Sequence, residues 1–320
     1  MLIITKLLYY LISKIQRVLI LLNFNKLWYS NVRNLPKTSQ LLDLLIFSNV
    51  YISIGAMSLS YVLFKLAGIP VNYIILIPFL IMFVIYTFNS KTDTREDALS
   101  DSKKFEFNKL YNKYFLAFAF AGFGLLVVFS FIKGIKYGLE VLVPFVIGLL
   151  YSSRISLKSK MIRLKDILFF KNFIVAITWA FVTVIIPASF LNITFTQDIY
   201  LLSFFIFTTL LIDEIFFDIK DLKGDSEVDT KTIPGIYGIP FTNKLLVFLN
   251  ITFISILIIE YWMGTVDTFL LEIGIFSAIY GFLYILLYNL NVIEINKLSN
   301  IIVAGQFIAV GFFVFLRTSL

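Results

Sequence analysis

Residues 70–97 read Pro70-Val-Asn-Tyr-Ile-Ile-Leu-Ile-Pro-Phe-Leu-Ile-Met-Phe-Val-Ile-Tyr-Thr-Phe-Asn89-Ser-Lys-Thr-Asp93-Thr-Arg-Glu-Asp97. Up to Phe88 the stretch carries no charge, and it then runs into Asn89, Asp93 and Asp97, three oxygen-bearing side chains spaced by four. An apolar segment of about 17–25 residues crosses the ~30 Å hydrocarbon core of a bilayer as a helix. If that helix continues beyond the hydrocarbon, four-residue spacing puts all three side chains on one face. The stretch therefore predicts a membrane span that ends in a polar stripe.

The rest of the chain repeats the apolar half of this pattern. Spans are expected at 42–66, 70–88, 114–132, 137–151, 169–191, 199–217, 243–262, 268–288 and 299–316. The fold class is all-α, a polytopic membrane helical bundle of about nine transmembrane helices. Composition agrees: 59% of residues are hydrophobic and 15% charged, against about 25% charged in soluble domains. Residues 1–40 read as an N-terminal interfacial segment and 41–320 as the transmembrane domain. Lys6, Lys14 and Arg17 interrupt the first apolar stretch, and no small-residue cleavage site follows. Met1–Leu22 is therefore expected as an amphipathic helix on the membrane surface, not a signal peptide.

The chain has no Cys and no His. Disulfides, thiolate metal sites, cysteine nucleophiles and imidazole chemistry are excluded. Chemistry must rest on Asp, Glu, Tyr, Lys, Arg or a metal. The net charge of +7 does not point to nucleic acid, because the basic residues sit in short connections between apolar spans. With the N-terminus and the connections 89–113, 152–168, 218–242 and 289–298 on one side, all but Lys65, Lys133, Lys136 and Arg317 of the 27 basic residues share that side. The positive-inside rule makes it cytoplasmic and puts the C-terminus opposite, with Trp28 and Trp262 at interfacial positions.

The sixth span ends in Glu214-Ile-Phe-Phe-Asp218-Ile-Lys-Asp221-Leu-Lys-Gly224-Asp225. Asp218, Asp221 and Asp225 fall on one helical face, and Asp221 and Asp225 repeat the spacing of Asp93 and Asp97. Like charges at i,i+4 destabilise a helix, and a bound cation removes that cost. Oxygen ligands suit Mg²⁺, which keeps waters and joins one or two carboxylates to substrate phosphates. A solvated charged loop accounts for either stripe alone. Two matched stripes at helix ends on one membrane side favour a metal-bridged diphosphate, since ionisable groups at membrane depth mark function.

Paired NxxxDxxxD and DxxDxxxD motifs at equivalent helix ends of a nine-span chain resemble the UbiA-type intramembrane prenyltransferase family, over nearly everything after residue 40. The resemblance implies a bundle around a central cavity open to lipid. It further implies that Mg²⁺ binds a polyprenyl diphosphate whose prenyl group passes to a small aromatic or lipid acceptor. Asn89, Asp93, Asp97, Asp218, Asp221 and Asp225 match the metal positions, and Asp93, Asp97, Asp221 and Asp225 are the expected catalytic carboxylates. Tyr151, Arg154 and Lys165 match the family's tyrosine and basic residues after the fourth span, which would contact diphosphate. Positive-inside charge explains such lysines and arginines equally.

Departures are plain: Tyr151-Ser-Ser-Arg154 replaces a YxxxK spacing, Phe217 stands where many members carry Asn, and no Arg-Pro turn follows Asp97. Thr232-Ile-Pro234 is similar to a family stretch and is also an ordinary turn. Asn49, polar within the first span, is an acceptor contact or a helix-packing hydrogen bond, and the 98–113 connection is a candidate lid. The partners expected are the diphosphate, its acceptor and membrane lipids, with no nucleic acid and no obligate protein. The same acidic pair would serve a related phosphoribosyltransferase or terpene cyclase. A transporter is disfavoured because its acids lie near the bilayer midplane, and a CDP-alcohol phosphotransferase because its DG and AR positions are missing.

Overall fold

The computed structural model describes residues 37–153, 155–157, 160–162, 164–228 and 230–319. All but the last four residues of the expected interfacial segment 1–40, and Trp28 and Arg154, lie outside the described residues. The chain divides into two units, Met1–Leu45 and Ile46–Leu320. The described part of the first is helical and belongs to Lys37–Phe47 (α1).

The second unit continues with Val50–Leu66 (α2), a 3₁₀ turn Tyr73–Ile75, and Leu76–Thr92 (α3). Thr94–Ser100 (α4), Ser102–Lys133 (α5) and Ile135–Ser152 (α6) follow. A small antiparallel hairpin pairs Ile155–Leu157 (β1) with Lys160–Ile162 (β2), Ser156 opposite Met161. Phe170–Ala180 (α7) runs through a π turn, Phe181–Ile185, into Ile186–Phe190 (α8). Then come Gln197–Glu227 (α9), Ile233–Tyr237 (α10), Ile239–Trp262 (α11) and Thr268–Asn289 (α12). The last span is Ile295–Lys297 (α13), a π turn Leu298–Val303, and Gln306–Ser319 (α14).

Among the described residues eight helices are long and apolar enough to cross a bilayer, or nine if Leu41–Phe47 and Val50–Leu66 form one broken span. The chain is a helical, multi-pass integral membrane bundle, with one short hairpin among the described residues. Successive neighbours close a ring: α14 packs on α2, α2 on α3, α3 on α5 and α6, α8 on α6, α7 on α9, α9 on α11, α11 on α12, and α12 on α14. Large apolar side chains such as Leu125 (74% exposed), Ile132 (80%) and Trp262 (83%) face outward, as lipid contact requires.

The span expected at 42–66 is broken between Phe47 and Val50, with a bend of 76°, and two other spans extend furthest past the expected limits. The helix expected at 114–132 starts at Ser102, and the one expected at 199–217 runs to Glu227. The candidate lid 98–113 is thus helical apart from Asp101, the break between α4 and α5. Hydropathy drops where charge begins, but these charges pair across helices, Lys104 with Asp97 for instance at 3.1 Å, so the helices carry on past the apolar limit.

Within lipid, helices associate through close packing and hydrogen bonds. At the α2–α14 crossing a Cβ on Gly311 would lie 2.8 Å from the Ser58 Cβ. The two π turns displace carbonyls from the helical ladder, and neighbouring spans answer them. Ser60 Oγ donates to the Thr183 carbonyl at 2.7 Å, Tyr51 to Ile301 at 2.9 Å and Tyr280 to Ile302 at 2.8 Å. Phe216 and Tyr284 meet edge to face between α9 and α12 at 4.9 Å. Gly311→Val is expected to lower stability by about 1–3 kcal/mol through overpacking, read as a lower melting temperature in detergent. Gly124→Ala, with nothing within 4 Å of its Cβ position, serves as the neutral control.

Candidate functional site

The stripe that opened the sequence does not ride on one unbroken helix. α3 stops at Thr92, Asp93 adopts φ −93° and ψ 26°, and α4 begins at Thr94. The four-residue register nevertheless survives in the backbone. The N–H groups of Asp93, Asp97, Asp101 and Phe105 donate to the carbonyls of Asn89, Asp93, Asp97 and Asp101 at 3.0, 2.9, 2.9 and 3.0 Å. The second stripe is simpler: Asp218, Asp221 and Asp225, with Glu214 a turn earlier, lie along the uninterrupted α9.

Both stripes open into one cavity of about 230 Å³. Asn89, Asp93, Asp97, Asp218, Asp221, Asp225, Tyr151, Lys165 and Asn49 all line it. Gly224 makes this meeting possible, because α4 and α9 touch there. A Cβ on Gly224 would lie 2.5 Å from Ser100 Oγ and 2.6 Å from the Glu96 carbonyl oxygen.

The carboxylates are answered by lysines. Lys165, 4% exposed, comes from the 3₁₀ turn Leu164–Asp166 and pairs with Asp93 and, at 3.2 Å, with Glu96. Lys104 reaches Asp97. Lys171, on the first turn of α7, lies 2.8 Å from both Asp218 and Asp225. Asn172 Nδ2 donates to Asp218 Oδ2 at 2.9 Å. Lys220 and Asp221 are 3.3 Å apart. Asn89 Oδ1 accepts from Ser152 Oγ at 2.7 Å, fixing its amide at the wall.

Below the charged end the walls turn apolar, with Met82, Ile85, Ile147 and Val175 beside Tyr86 and Trp179. Trp179 Nε1 donates to the Tyr86 hydroxyl at 2.9 Å. Asn49 sits in a left-handed conformation, φ 64°, at the start of α2. Its Nδ2 donates to Ser90 Oγ at 3.2 Å, so it both lines the cavity and joins two spans. Phe217, at the position of a family Asn, lines the cavity as well. Thr232 is a helix cap: its Oγ1 accepts from the Gly235 N–H at 3.3 Å.

Among the described residues no group of three or more carboxyls is gathered tightly enough to enclose a metal by itself. The donor set still suits a hard cation. Seven carboxyls face four ammonium groups in the cavity, and Asp97 Oδ2 is buried without a hydrogen-bond partner. Mg²⁺ needs only one or two carboxylates when phosphate oxygens and water complete its shell.

Sequence reasoning missed Glu96, Lys104, Lys171, Asn172 and Glu214 as site residues. A signal was present for Lys171 and Asn172, a charge and an amide inside an expected apolar span. Lys104 carried only a weaker one, two helical turns beyond Asp97. Nothing in the sequence alone paired Glu96 with Lys165.

Burial is the largest influence on Asp97 and pushes its carboxyl above the usual range, while Lys104 draws it back and Asp93 adds to the rise. An acid with a higher pKa folded than unfolded costs stability that appears as pH climbs between the two values, so the melting temperature of metal-free protein is expected to rise as pH falls through the titration of Asp97. Asp97→Asn is expected to flatten that pH dependence. Gly224→Ala is expected to lower the melting temperature at every pH, by forcing α4 from α9.

No family model matches the chain. A curated relative, digeranylgeranylglyceryl phosphate synthase of Methanosphaera stadtmanae, is 26% identical over 265 residues, covering 78% of this chain and 90% of that protein. The structure of a UbiA homologue from Archaeoglobus fulgidus bound to GPP and Mg²⁺ superposes with a TM-score of 0.60 at 16% identity, over 85% of this chain and 99% of the other. A UbiA homologue from Aeropyrum pernix gives 0.58 at 11% identity, over 82% and 98%. The chain shares the fold of these UbiA homologues.

Proposed function

We propose that this chain is a Mg²⁺-dependent intramembrane prenyltransferase, moving a prenyl group from a polyprenyl diphosphate to a small aromatic or lipid acceptor. The observation that carries the reading is the single cavity in which two acidic stripes and four lysines crown apolar walls. Such a shape suits a substrate with a charged head and a hydrocarbon tail. The fold similarity to a homologue bound to GPP and Mg²⁺ and the lipid product in the name of the curated relative support it.

Asp93, Asp97, Asp221 and Asp225, with Asn89 and Asp218, are the residues that would hold Mg²⁺. Bound there, the metal supplies Lewis-acid neutralisation of the diphosphate leaving group. Lys165, Tyr151 and Arg154 are proposed to contact the diphosphate, and the Asn49 amide to contact the acceptor. The apolar wall around Met82, Ile85 and Val175 keeps water from the allylic centre. The domain doing this is 41–320, with its N-terminus and acidic stripes cytoplasmic and its C-terminus opposite. Acids at helix ends, not at mid-membrane, favour this reading over transport.

Asp93→Ala and Asp221→Ala are each expected to lower kcat/KM by roughly 10²–10³-fold, the scale of losing one electrostatic stabiliser. The assay measures diphosphate release from labelled geranyl diphosphate with Mg²⁺ and panels of aromatic and glyceryl-lipid acceptors. Full turnover in either variant refutes the site. The chain lacks cysteine, so orientation is testable with single replacements at exposed lysines. Lys103→Cys should label with an impermeant maleimide only from the cytoplasmic side, and Lys136→Cys only from the other.

A further inference from the structure

One carboxyl in the cavity stands apart from the others. Asp93 and Glu96 face Lys165, Asp97 faces Lys104, Asp218 and Asp225 face Lys171, and Asp221 faces Lys220. Glu214 lines the same cavity, yet among the described residues it has no ammonium within ion-pair distance and no hydrogen bond. Lys171 and Lys220 act on it only from farther off, and Asp218 and Asp221 oppose them.

Its depth differs as well. α9 runs from Gln197 to Glu227, with the acidic stripe toward its end. Glu214 precedes Asp218 by four residues on the same face, so it lies one helical turn, about 6 Å, nearer the apolar part of the cavity. The Tyr86 and Tyr151 hydroxyls are within electrostatic reach of it. Tyr86, held by Trp179, belongs to the wall where charge gives way to hydrocarbon. Glu214 thus stands at the level where a charged head would join its tail.

We infer that Glu214 is the general base of the transfer and that the acceptor presents a hydroxyl to it. An ionised carboxylate only accepts hydrogen bonds, so a diphosphate cannot be its partner, whereas a hydroxyl can. Opposite charge close by favours the ionised form of a carboxylate and weakens it as a base. That applies to the lysine-paired carboxyls and to any that hold Mg²⁺, and Glu214 escapes both. In the step, the acceptor oxygen bonds to the first carbon of the prenyl group. The bond from that carbon to the diphosphate oxygen breaks, and its electron pair leaves with the diphosphate. The hydroxyl proton passes to Glu214. The metal positions keep the roles given above, and the inference rests on the prenyl-transfer reading.

The test combines full-length protein with labelled geranyl diphosphate, Mg²⁺ and a panel of phenols, benzyl alcohols and alkylglycerols, and locates the new bond in the product by NMR. Wild-type protein is expected to attach the prenyl group to oxygen; attachment to a ring carbon overturns the inference. Glu214→Gln is expected to lower kcat for transfer by about 10²–10⁴-fold, the scale of general-base catalysis. An unreactive thiolodiphosphate analogue of geranyl diphosphate should bind this variant as it binds wild type, at the same Mg²⁺ concentration. Glu214→Ala is expected to regain transfer when formate is added, since formate restores the missing carboxylate. Undiminished transfer in Glu214→Gln overturns the inference, as does a folded Glu214→Ala that formate fails to rescue. A raised Mg²⁺ requirement for analogue binding also overturns it, by making Glu214 a metal ligand. If neither variant folds, the atom prenylated by wild type decides. Wild-type protein that transfers while Glu214→Gln matches it refutes only the role of Glu214, whereas failure to release diphosphate with every acceptor refutes the proposed function.

Discussion

Charge placed inside a lipid-embedded bundle must be answered at close range, since no bulk water is there to solvate it. The facing of carboxylate and ammonium across the cavity is the interaction on which the rest of this structure depends. It holds α4 beside α5 through Asp97 and Lys104, and α7 beside α9 through Lys171, Asp218 and Asp225. It also ties the connection after the hairpin to the end of α3 through Lys165 and Asp93. Because these pairs are buried, removing one partner costs more than making the pair gains. The polar end of the bundle is therefore specified by charge matching, and the apolar remainder by close packing of small residues and rings.

The supporting contacts all serve that polar end. Gly224 lets α4 and α9 touch, and a side chain there would part the two stripes. Asp101 caps α5 at the Lys104 N–H and accepts from Asn300 Nδ2 at 2.8 Å, while Asn296 Nδ2 donates to the Ser100 carbonyl. The last span is thereby anchored to α4. Asn89 is held by Ser152, and Asn49 by Ser90. Each amide at the wall joins two elements, which keeps the cavity open against collapse of its apolar sides. Asp97 and Ser100 are not fully matched: one Asp97 oxygen and the Ser100 hydroxyl are buried and unanswered. A buried polar atom without a partner is uncommon in folded proteins.

Much of this was legible beforehand for definite reasons. The apolar runs announced their spans because lipid accepts no other continuous backbone but a helix or a closed barrel. Asn89, Asp93 and Asp97 announced a stripe because a helix repeats its faces every three to four residues. The break at Asp93 was not legible, since no Gly or Pro marks it. Nor were the extra helical turns of α5 and α9, because a hydropathy window cannot see that Lys104 has a partner on another helix. Lys171 was counted as one more positive-inside charge, although it sits within an expected span.

The sequence by itself determined the class of molecule, the number of spans within one, and the two acidic stripes. These follow from local quantities, hydropathy and helical period, that each segment carries alone. Only the tertiary structure decided that the stripes share one cavity, that Gly224 is where they meet, and which lysine answers which carboxylate. Those are pairings between residues such as Lys165 and Asp93, 72 positions apart. A one-dimensional pattern records what each charge is. Which charge it faces depends on how the helices pack.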